Sequence, residues 1–230
     1  MRILSLTAAV LLVSSLSAPA RAGMVEVCKQ HRDTDLRIEA CTAVIGSTLW
    51  QGKDISWTYY NRGFAYAELG DYRRAIGDYD QALQIDLYVA EVNYNRGLAY
   101  YYLGEYHRAI EDYDRALRLK SGYTKAYYNR GNAYLDLGEY HRAIEDYDRA
   151  LRLRSGFAGA YRGRANARCH LEMIETSLDD RMQALRLGEI TAENTQRHLR
   201  DRGFYKGAID GDFGSASRRA LRDWTAAGCP

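Results

Sequence analysis

Apolar and small residues recur along the middle of the chain with the spacing of one helix face. Tyr59, Gly63, Tyr66 and Gly70 follow an i, i+4, i+7, i+11 pattern, which predicts a helix that buries one side. The same pattern returns every 34 residues, and a stretch of 17 residues occurs identically at 103–119 and 137–153. A unit of this length cannot bury its apolar face alone, so the period predicts helical hairpins that stack on one another.

Each repeat carries the same small and aromatic residues at equivalent positions. The first helix has a glycine inside an Asn-Arg-Gly string and then a tyrosine, and a second glycine marks the turn. These residues are Gly63, Gly97 and Gly131; Tyr66, Tyr100 and Tyr134; and Gly70, Gly104 and Gly138. The second helix has a small–aromatic–small series. It reads Ala75-Tyr79-Ala82, Ala109-Tyr113-Ala116 and Ala143-Tyr147-Ala150. A glycine inside a helix is costly, so its recurrence indicates that another helix packs closely there.

This pattern resembles the tetratricopeptide repeat. The resemblance implies hairpins at 56–89, 90–123 and 124–157 and a decayed fourth hairpin at 158–190, in which Ala165 replaces the glycine and Arg168 the tyrosine. A degenerate hairpin is expected upstream, over 23–55, with its second helix near Leu36 to Ile45. The predicted fold is therefore all-α, an α-solenoid of helical hairpins.

A different module follows over 191–230. Its glycine-punctuated stretch lies between two apolar helix patterns and resembles the small three-helix peptidoglycan-binding domain. The motif residues are Phe204, Tyr205, Asp210, Gly211, Asp212, Phe213 and Gly214. We expect left-handed turns at Gly203, Gly211 and Gly214 and a core of Phe204, Phe213 and Trp224. The resemblance implies binding of wall glycan or peptide, although the same residues would be needed merely to fold the module.

The first 22 residues have the character of a secretory signal peptide. Arg2 is followed by a mostly apolar stretch, and Ala20-Arg21-Ala22 is suited to cleavage after Ala22. A membrane anchor is the alternative, but the stretch is shorter than the ~20 apolar residues that span a bilayer. We expect an exported protein, periplasmic or associated with the cell wall, without a membrane span.

The charge balance excludes a class of partner. The chain has 32 basic and 30 acidic residues, and loss of Arg2 and Arg21 with the leader would bring the net charge to about zero. Nucleic-acid binding needs concentrated positive charge to displace counterions from phosphates, so no nucleic-acid partner is expected.

Four cysteines, Cys28, Cys41, Cys169 and Cys229, allow three disulfide connectivities. An even number in an exported chain favours disulfides. Cys28 and Cys41 flank a polar turn and so form the natural first pair, which leaves Cys169–Cys229. Their spacing does not fit a metal site, and no metal or other cofactor is expected.

The chain shows no pattern that is typical of an enzyme. It contains no Gly-x-Ser-x-Gly, His-Glu-x-x-His or phosphate-binding glycine loop. His107 and His141 are one repeat apart, as duplicated surface residues would be. The repeated Asp78, Asp112 and Asp146 are expected to pair with Arg62, Arg96 and Arg130 in a ladder along the repeats.

The first helices present a candidate groove for a partner. In the resembled family this face binds an extended peptide or a helix, and tyrosines with asparagines would supply apolar area and hydrogen bonds. The candidates are Trp57, Tyr60, Asn61, Phe64, Tyr94, Asn95, Leu98, Tyr101, Tyr128, Asn129 and Asn132. For Tyr60, Tyr94 and Tyr128, packing against neighbouring helices is an equal alternative. Tyr60 and Phe64 replace the clamp that some members use for carboxylates, so a free acidic C-terminus is not the expected ligand.

The interpretation is a non-enzymatic, exported adaptor. The repeats would hold a protein or peptide partner, while the terminal module binds peptidoglycan. Two alternatives stay open: a non-catalytic targeting or regulatory subunit of a cell-wall hydrolase, and a free periplasmic chaperone-like factor whose terminal module is only structural.

Overall fold

The computed structural model describes residues 18–30, 32–47, 50–87, 89–188 and 190–228. These residues form twelve helices and no strand, so the predicted all-α fold is confirmed. The helices are α1 (Ala18–Gln30), α2 (Thr34–Gly46), α3 (Lys53–Glu68), α4 (Tyr72–Ile85), α5 (Ala90–Tyr102), α6 (Tyr106–Leu119), α7 (Thr124–Asp136), α8 (Tyr140–Leu153), α9 (Ala158–His170), α10 (Ile174–Arg186), α11 (Ala192–Asp201) and α12 (Ser215–Ala226). They divide into two compact units, one up to Ser121 and one from Gly122.

The predicted signal peptide lies mostly outside the described residues. The predicted signal peptide falls outside the described residues up to Ser17, and α1 begins at Ala18. Within the described ranges, no helix combines the length and the apolar character needed to cross a membrane.

The hairpin turns are built by glycine in the left-handed region. Gly70 has φ +77°, its N–H donates to the carbonyl of Ala67 at 3.0 Å, and the N–H of Asp71 donates to Tyr66 at 2.9 Å. These two bonds make a Schellman motif, which satisfies carbonyls at the end of α3. Gly104 and Gly138 close α5 and α7 in the same way.

The fourth hairpin departs at this position. Glu172 stands one repeat after Gly138 and adopts φ +58°, while its N–H and that of Met173 still donate to Cys169 and Arg168 at 2.9 Å. A residue with a Cβ pays about 1 kcal/mol or more in this region. The turn is therefore kept by the hydrogen bonds of α9 and not by local preference.

The interior of each regular hairpin is a glycine packed against a tyrosine ring. A Cβ on Gly97 would lie 3.0 Å from Tyr113 and 3.1 Å from the carbonyl oxygen of Ala109. Gly63 and Gly131 face Tyr79 and Tyr147 at similar distances. The three tyrosines are fully buried. This confirms the prediction that the repeated glycine admits a closely packed helix.

Buried arginine–aspartate pairs run through both units. In the first, Arg96 binds Asp112 with two bonds of 2.7 and 2.6 Å and reaches Asp80, on the preceding hairpin, at 2.6 Å. Arg62 binds Asp78 in the same bidentate manner. Burial alone would lower the pKa of Arg96, but its bonds to Asp112 and Asp80 outweigh that effect and raise the pKa.

The second unit repeats this arrangement. Arg130 binds Asp146 at 2.7 and 2.6 Å. Arg164 binds Asp180 at 2.9 and 2.5 Å and Asp148, on the preceding hairpin, at 2.5 Å. The predicted pairs are therefore confirmed within each unit. The fourth hairpin adds a pair at the equivalent positions, Arg164 and Asp180, which our prediction did not include.

A disulfide joins the first two helices. Cys28 of α1 and Cys41 of α2 are fully buried and bonded, as predicted, beside Ala40 and Trp57. The second predicted pair includes Cys229, which lies outside the described residues, so Cys169–Cys229 stays a prediction.

The last three helices share one small core. Its buried members are Leu178, Leu199, Tyr205, Ala220, Leu221 and Trp224. Leu178 belongs to α10, so this core begins before residue 191, where we placed the start of the domain. Residues 191–228 contain two helices, and α10 is the third. The last hairpin and the terminal module are therefore one packed body.

Candidate functional site

The candidate groove tyrosines of the first unit lie against its interior. The ring centroid of Tyr60 is 6.1 Å from that of Tyr79, and Tyr94 lies 5.9 Å from Tyr113. Tyr94 is 9% exposed and Tyr60 is half-buried. The geometry favours the packing alternative for Tyr94, while Tyr60 retains some accessible surface.

The candidate asparagines and Trp57 are engaged within the protein. The Asn61 amide donates to the carbonyl of Trp57 at 2.9 Å, and the Asn95 amide donates to the Tyr60 hydroxyl at 3.0 Å. Trp57 packs against the disulfide cluster, and the ammonium of Lys29 lies 4.9 Å from its ring. These side chains hold the first helices in register as well as lining their surface.

The most accessible aromatic surface of this unit lies at two places. Phe64 is 37% exposed, with the Arg37 guanidinium 5.6 Å from its ring. Tyr101 is half-buried beside Tyr102, which is 58% exposed and stacks on Tyr72 at 4.9 Å. Leu98 is half-buried.

The second unit shows the same packing. Tyr128 lies 6.0 Å from Tyr147 and 4.7 Å from Phe157, so its ring is held between two aromatic neighbours. The oxygen of the Asn132 amide accepts a hydrogen bond from the Tyr147 hydroxyl at 2.8 Å. Asn129 is half-buried.

Position 132 explains a difference between the repeats. Leu98 and Phe64 stand one and two repeats before Asn132, and neither side chain offers a hydrogen-bond acceptor. The hydroxyls of Tyr79 and Tyr113 are buried without a hydrogen-bond partner. Burial raises the pKa of Tyr113 well above its usual value. The sequence offered a clue to this difference only in the change from Leu98 to Asn132.

In the terminal module, one buried amide organises the motif. Gln196 is fully buried; its nitrogen donates to the Asp212 carbonyl at 2.9 Å and the Asp210 carboxylate at 3.0 Å. Its oxygen accepts from the N–H groups of Asp210 and Gly211 at 3.2 and 3.1 Å. The bond from Gln196 is the main cause that lowers the pKa of Asp210. Sequence reasoning missed Gln196 because a glutamine in an amphipathic helix is usually exposed.

The aromatic residues of the motif pack in or against the core of the module. Tyr205 is 7% exposed and its hydroxyl donates to the Ala208 carbonyl at 3.0 Å. Phe204 and Phe213 are partly buried against the same core, as predicted, and Trp224 belongs to it. The expectation for the turns holds at Gly203 and Gly211, with φ of +81° and +77°. It is wrong for Gly214, which has φ −74° because it is the N-cap of α12.

No metal site was predicted. Throughout the described ranges, no three His, Cys, Asp or Glu side chains are grouped so that they could hold a metal ion.

Family models match the repeats and the terminal module separately. A tetratricopeptide repeat model matches residues 56–86 and 124–157, and a second repeat model matches 97–138. A model described as a peptidoglycan binding domain matches 180–228. This last match begins inside α10, in agreement with the shared core. The chain therefore carries tetratricopeptide repeats and a peptidoglycan-binding-like domain.

Solved structures agree on the repeats. A crystal structure of MamA is 27% identical with a TM-score of 0.64, covering 68% of this chain and 90% of its own. A second MamA structure is 25% identical with a TM-score of 0.65, over 75% and 94% of the two chains. The first repeat domain of Spaghetti (RPAP3), bound to an HSP90 peptide, is 28% identical with a TM-score of 0.52, over 54% and 98%. A search of curated proteins finds no match.

Proposed function

We propose that this chain is an exported adaptor: its tetratricopeptide repeats hold a protein or peptide partner, and its terminal module binds the peptidoglycan cell wall. One observation carries the proposal. The peptidoglycan-binding-like module and the last hairpin share a core through α10, which supports a chain whose repeats and wall-binding module act together.

Export is supported by the cysteine chemistry. Disulfides persist in oxidising compartments, and the buried Cys28–Cys41 bond links α1 to α2. The apolar leader over 1–22 fits the same location. The periplasm or the cell wall is a location in which both a disulfide and a wall-binding module would be useful.

We propose that the partner contacts the accessible aromatic residues of the first helices, Phe64 and Tyr101 with Tyr102. Aromatic side chains give large contact area with little conformational entropy to lose. The RPAP3 domain bound to an HSP90 peptide supports peptide binding by such repeats. In this chain Tyr60 and Phe64 occupy the positions of a carboxylate clamp, so we propose an internal peptide or helix as the ligand. We propose binding without catalysis.

A second candidate is a free periplasmic interaction factor whose terminal module is only structural. It is favoured by one observation, since Asp210 and Tyr205 of the motif are used by the loop and the core.

Sedimentation of the mature chain with purified wall sacculi distinguishes the two candidate functions. The adaptor should move to the pellet with the sacculi, whereas a chain that stays in the supernatant would overturn wall binding. A truncation near Gly188 is a poor control because it uncovers Leu178 of the shared core. A soluble protein of similar size without a wall-binding module provides the background level.

The partner surface is tested by crosslinking in the native envelope. Phe64→Ser should lose the wild-type crosslinked partner, because it removes the exposed ring. Leu87→Ser is the matched control, since Leu87 is 67% exposed and lies in the loop after α4. Equal partner capture by wild type and Phe64→Ser would contradict the proposed surface.

A further inference from the structure

A cavity of about 700 Å³, with arginines in its lining, lies between the last hairpin and α12 of the terminal module. Arg186 comes from the last turn of α10, and Arg218, Arg219 and Arg222 come from α12. Ser215, the first residue of α12, lies at the same cavity. The whole cavity belongs to the second unit.

The helix repeat brings the α12 arginines together. Ser215, Arg218, Arg219 and Arg222 stand at i, i+3, i+4 and i+7, so they share one face of α12. The three arginines and Arg186 are exposed. This face is therefore accessible to a ligand from solvent.

The carboxylates of the cavity do not neutralise these arginines. Asp180 is buried and already binds Arg164 twice and Arg168 at 2.7 Å. Arg222 lies 3.2 Å from Glu175 in an exposed pair, which is worth little.

The other cavity arginines have weaker engagements. Arg186 donates to the Gln183 side chain at 3.3 Å. Among the residues the structure describes, Arg218 and Arg219 make no ion pair. One exposed carboxylate, that of Asp179, remains at the cavity. The site therefore has more cationic than anionic capacity to offer a ligand.

Much of the recognised motif holds its own loop and core. Gln196 binds one carboxylate oxygen of Asp210 and the Asp212 carbonyl, and the aromatic rings pack against the core. The arginines of α12 are not needed by the core, because they point to solvent.

We propose that this arginine cavity is the wall-binding site of the module, and that it takes the carboxylates of the peptide side chains of peptidoglycan. An arginine fork can bind a carboxylate through two parallel hydrogen bonds, and such charge-assisted bonds are stronger than neutral ones. The apolar side chains of Leu178 and Met182 also line the cavity and can contact the aliphatic part of a wall peptide. This inference rests on the proposed wall binding.

The test measures binding of the mature full chain to purified sacculi. Arg218→Gln/Arg219→Gln/Arg222→Gln removes the cavity charge of α12. The matched control is Arg197→Gln/Arg200→Gln/Arg202→Gln, which removes three exposed arginines in and just after α11 of the same module. Loss of charged hydrogen bonds should weaken binding by at least about tenfold in the cavity variant, and the control should change it less than about threefold. Thermal melts establish that both variants are folded.

The outcomes separate the two proposals. If the wild type does not bind sacculi, wall binding itself fails. If the wild type binds and the cavity variant binds equally, this inference alone is overturned. An equal loss in both triple variants would also overturn it, because it would indicate general attraction and not a built site.

A separate binding experiment tests the chemistry of the ligand. Sacculi whose carboxylates have been amidated should bind the wild type no better than untreated sacculi bind the cavity variant. Undiminished binding to amidated sacculi would refute the proposal that the cavity binds carboxylates. Competition by a soluble hexaglutamate peptide as efficient as that by solubilised wall peptides would assign the cavity to an acidic protein segment and overturn the wall ligand.

Discussion

The guanidinium of Arg96 holds the carboxylate of Asp112 with two hydrogen bonds of 2.7 and 2.6 Å, and the Asp112 side chain is 1% exposed. A third bond of 2.6 Å reaches Asp80 on the preceding hairpin. One arginine thus joins the two helices of its own hairpin and ties that hairpin to its neighbour. This arrangement couples the repeats without using the accessible aromatic face.

Loss of Arg96 should destabilise the chain strongly. Arg96→Met leaves Asp112 buried, with only the bond of 3.0 Å from Arg115. We expect a loss of about 3 kcal/mol in the free energy of unfolding, measured by urea denaturation. Lys120→Met, which removes an exposed pair with Glu91, should cost less than about 1 kcal/mol. Arg96→Met/Asp112→Met should recover most of the loss, and a double variant as unstable as the single one would refute the explanation.

The repeated glycines should tolerate no methyl group. In Gly97→Ala the new Cβ meets the backbone oxygen of Ala109 at 3.1 Å, which cannot rotate away. The crowding should outweigh the helix-propensity gain of about 1 kcal/mol and leave a net loss of about 1–3 kcal/mol.

Gly77→Ala is the matched control in α4, because nothing lies within 4 Å of its Cβ position. It should raise the stability by about 0.5–1 kcal/mol. Both variants are compared by their urea midpoints. Stabilisation by Gly97→Ala would contradict the close packing.

The sequence predicted the repeats well because their local and tertiary requirements coincide. Gly97 indicates a close contact between helices, and Gly104 indicates a left-handed turn. The 34-residue period shows that both features recur in each repeat. The arginine–aspartate pairs were predictable because Arg96 and Asp112 recur together in every regular repeat. Cys28 and Cys41 were predictable from their separation in the chain.

Other features depend on contacts that no local pattern reveals. Glu172 stands in a glycine position, so its turn is visible only from the hydrogen bonds around it. Leu178 lies in the last repeat hairpin but packs in the core of the terminal module, so the sequence pattern does not show where that module begins. A tyrosine that faces a partner and one that faces the interior have the same sequence pattern. Only the contact with Tyr113 shows that Tyr94 faces the interior.

Equivalent tyrosines should respond differently to loss of their hydroxyl. Tyr147→Phe removes a hydrogen bond to Asn132 and should cost about 1 kcal/mol of unfolding free energy. Tyr113→Phe removes a buried donor without a partner and should be neutral or stabilising by about 1 kcal/mol. The two substitutions delete the same atom from the same repeat position, so each is the control of the other. Equal destabilisation in urea titrations would disprove the difference in hydrogen bonding.

Replacement of Gln196 tests whether the recognised motif is a folding device. Gln196→Leu keeps a similar volume in the core but removes the bonds to Asp210, Gly211 and Asp212. We expect a loss of about 2–4 kcal/mol, because several polar groups of the loop lose their partner together. Asn194→Ala, at an exposed position of the same helix, should cost less than about 1 kcal/mol.

A second measurement on Gln196→Leu separates this hydrogen-bonding role from simple packing. The bond from Gln196 is the main cause that holds the pKa of Asp210 below its usual value, so in the variant that pKa should rise. Carboxyl chemical shifts in an NMR titration report it directly, and Asn194→Ala should leave it unchanged. An Asp210 pKa that stays low in Gln196→Leu would mean that the loop is held by other groups, and the motif would again be available as a wall-binding surface.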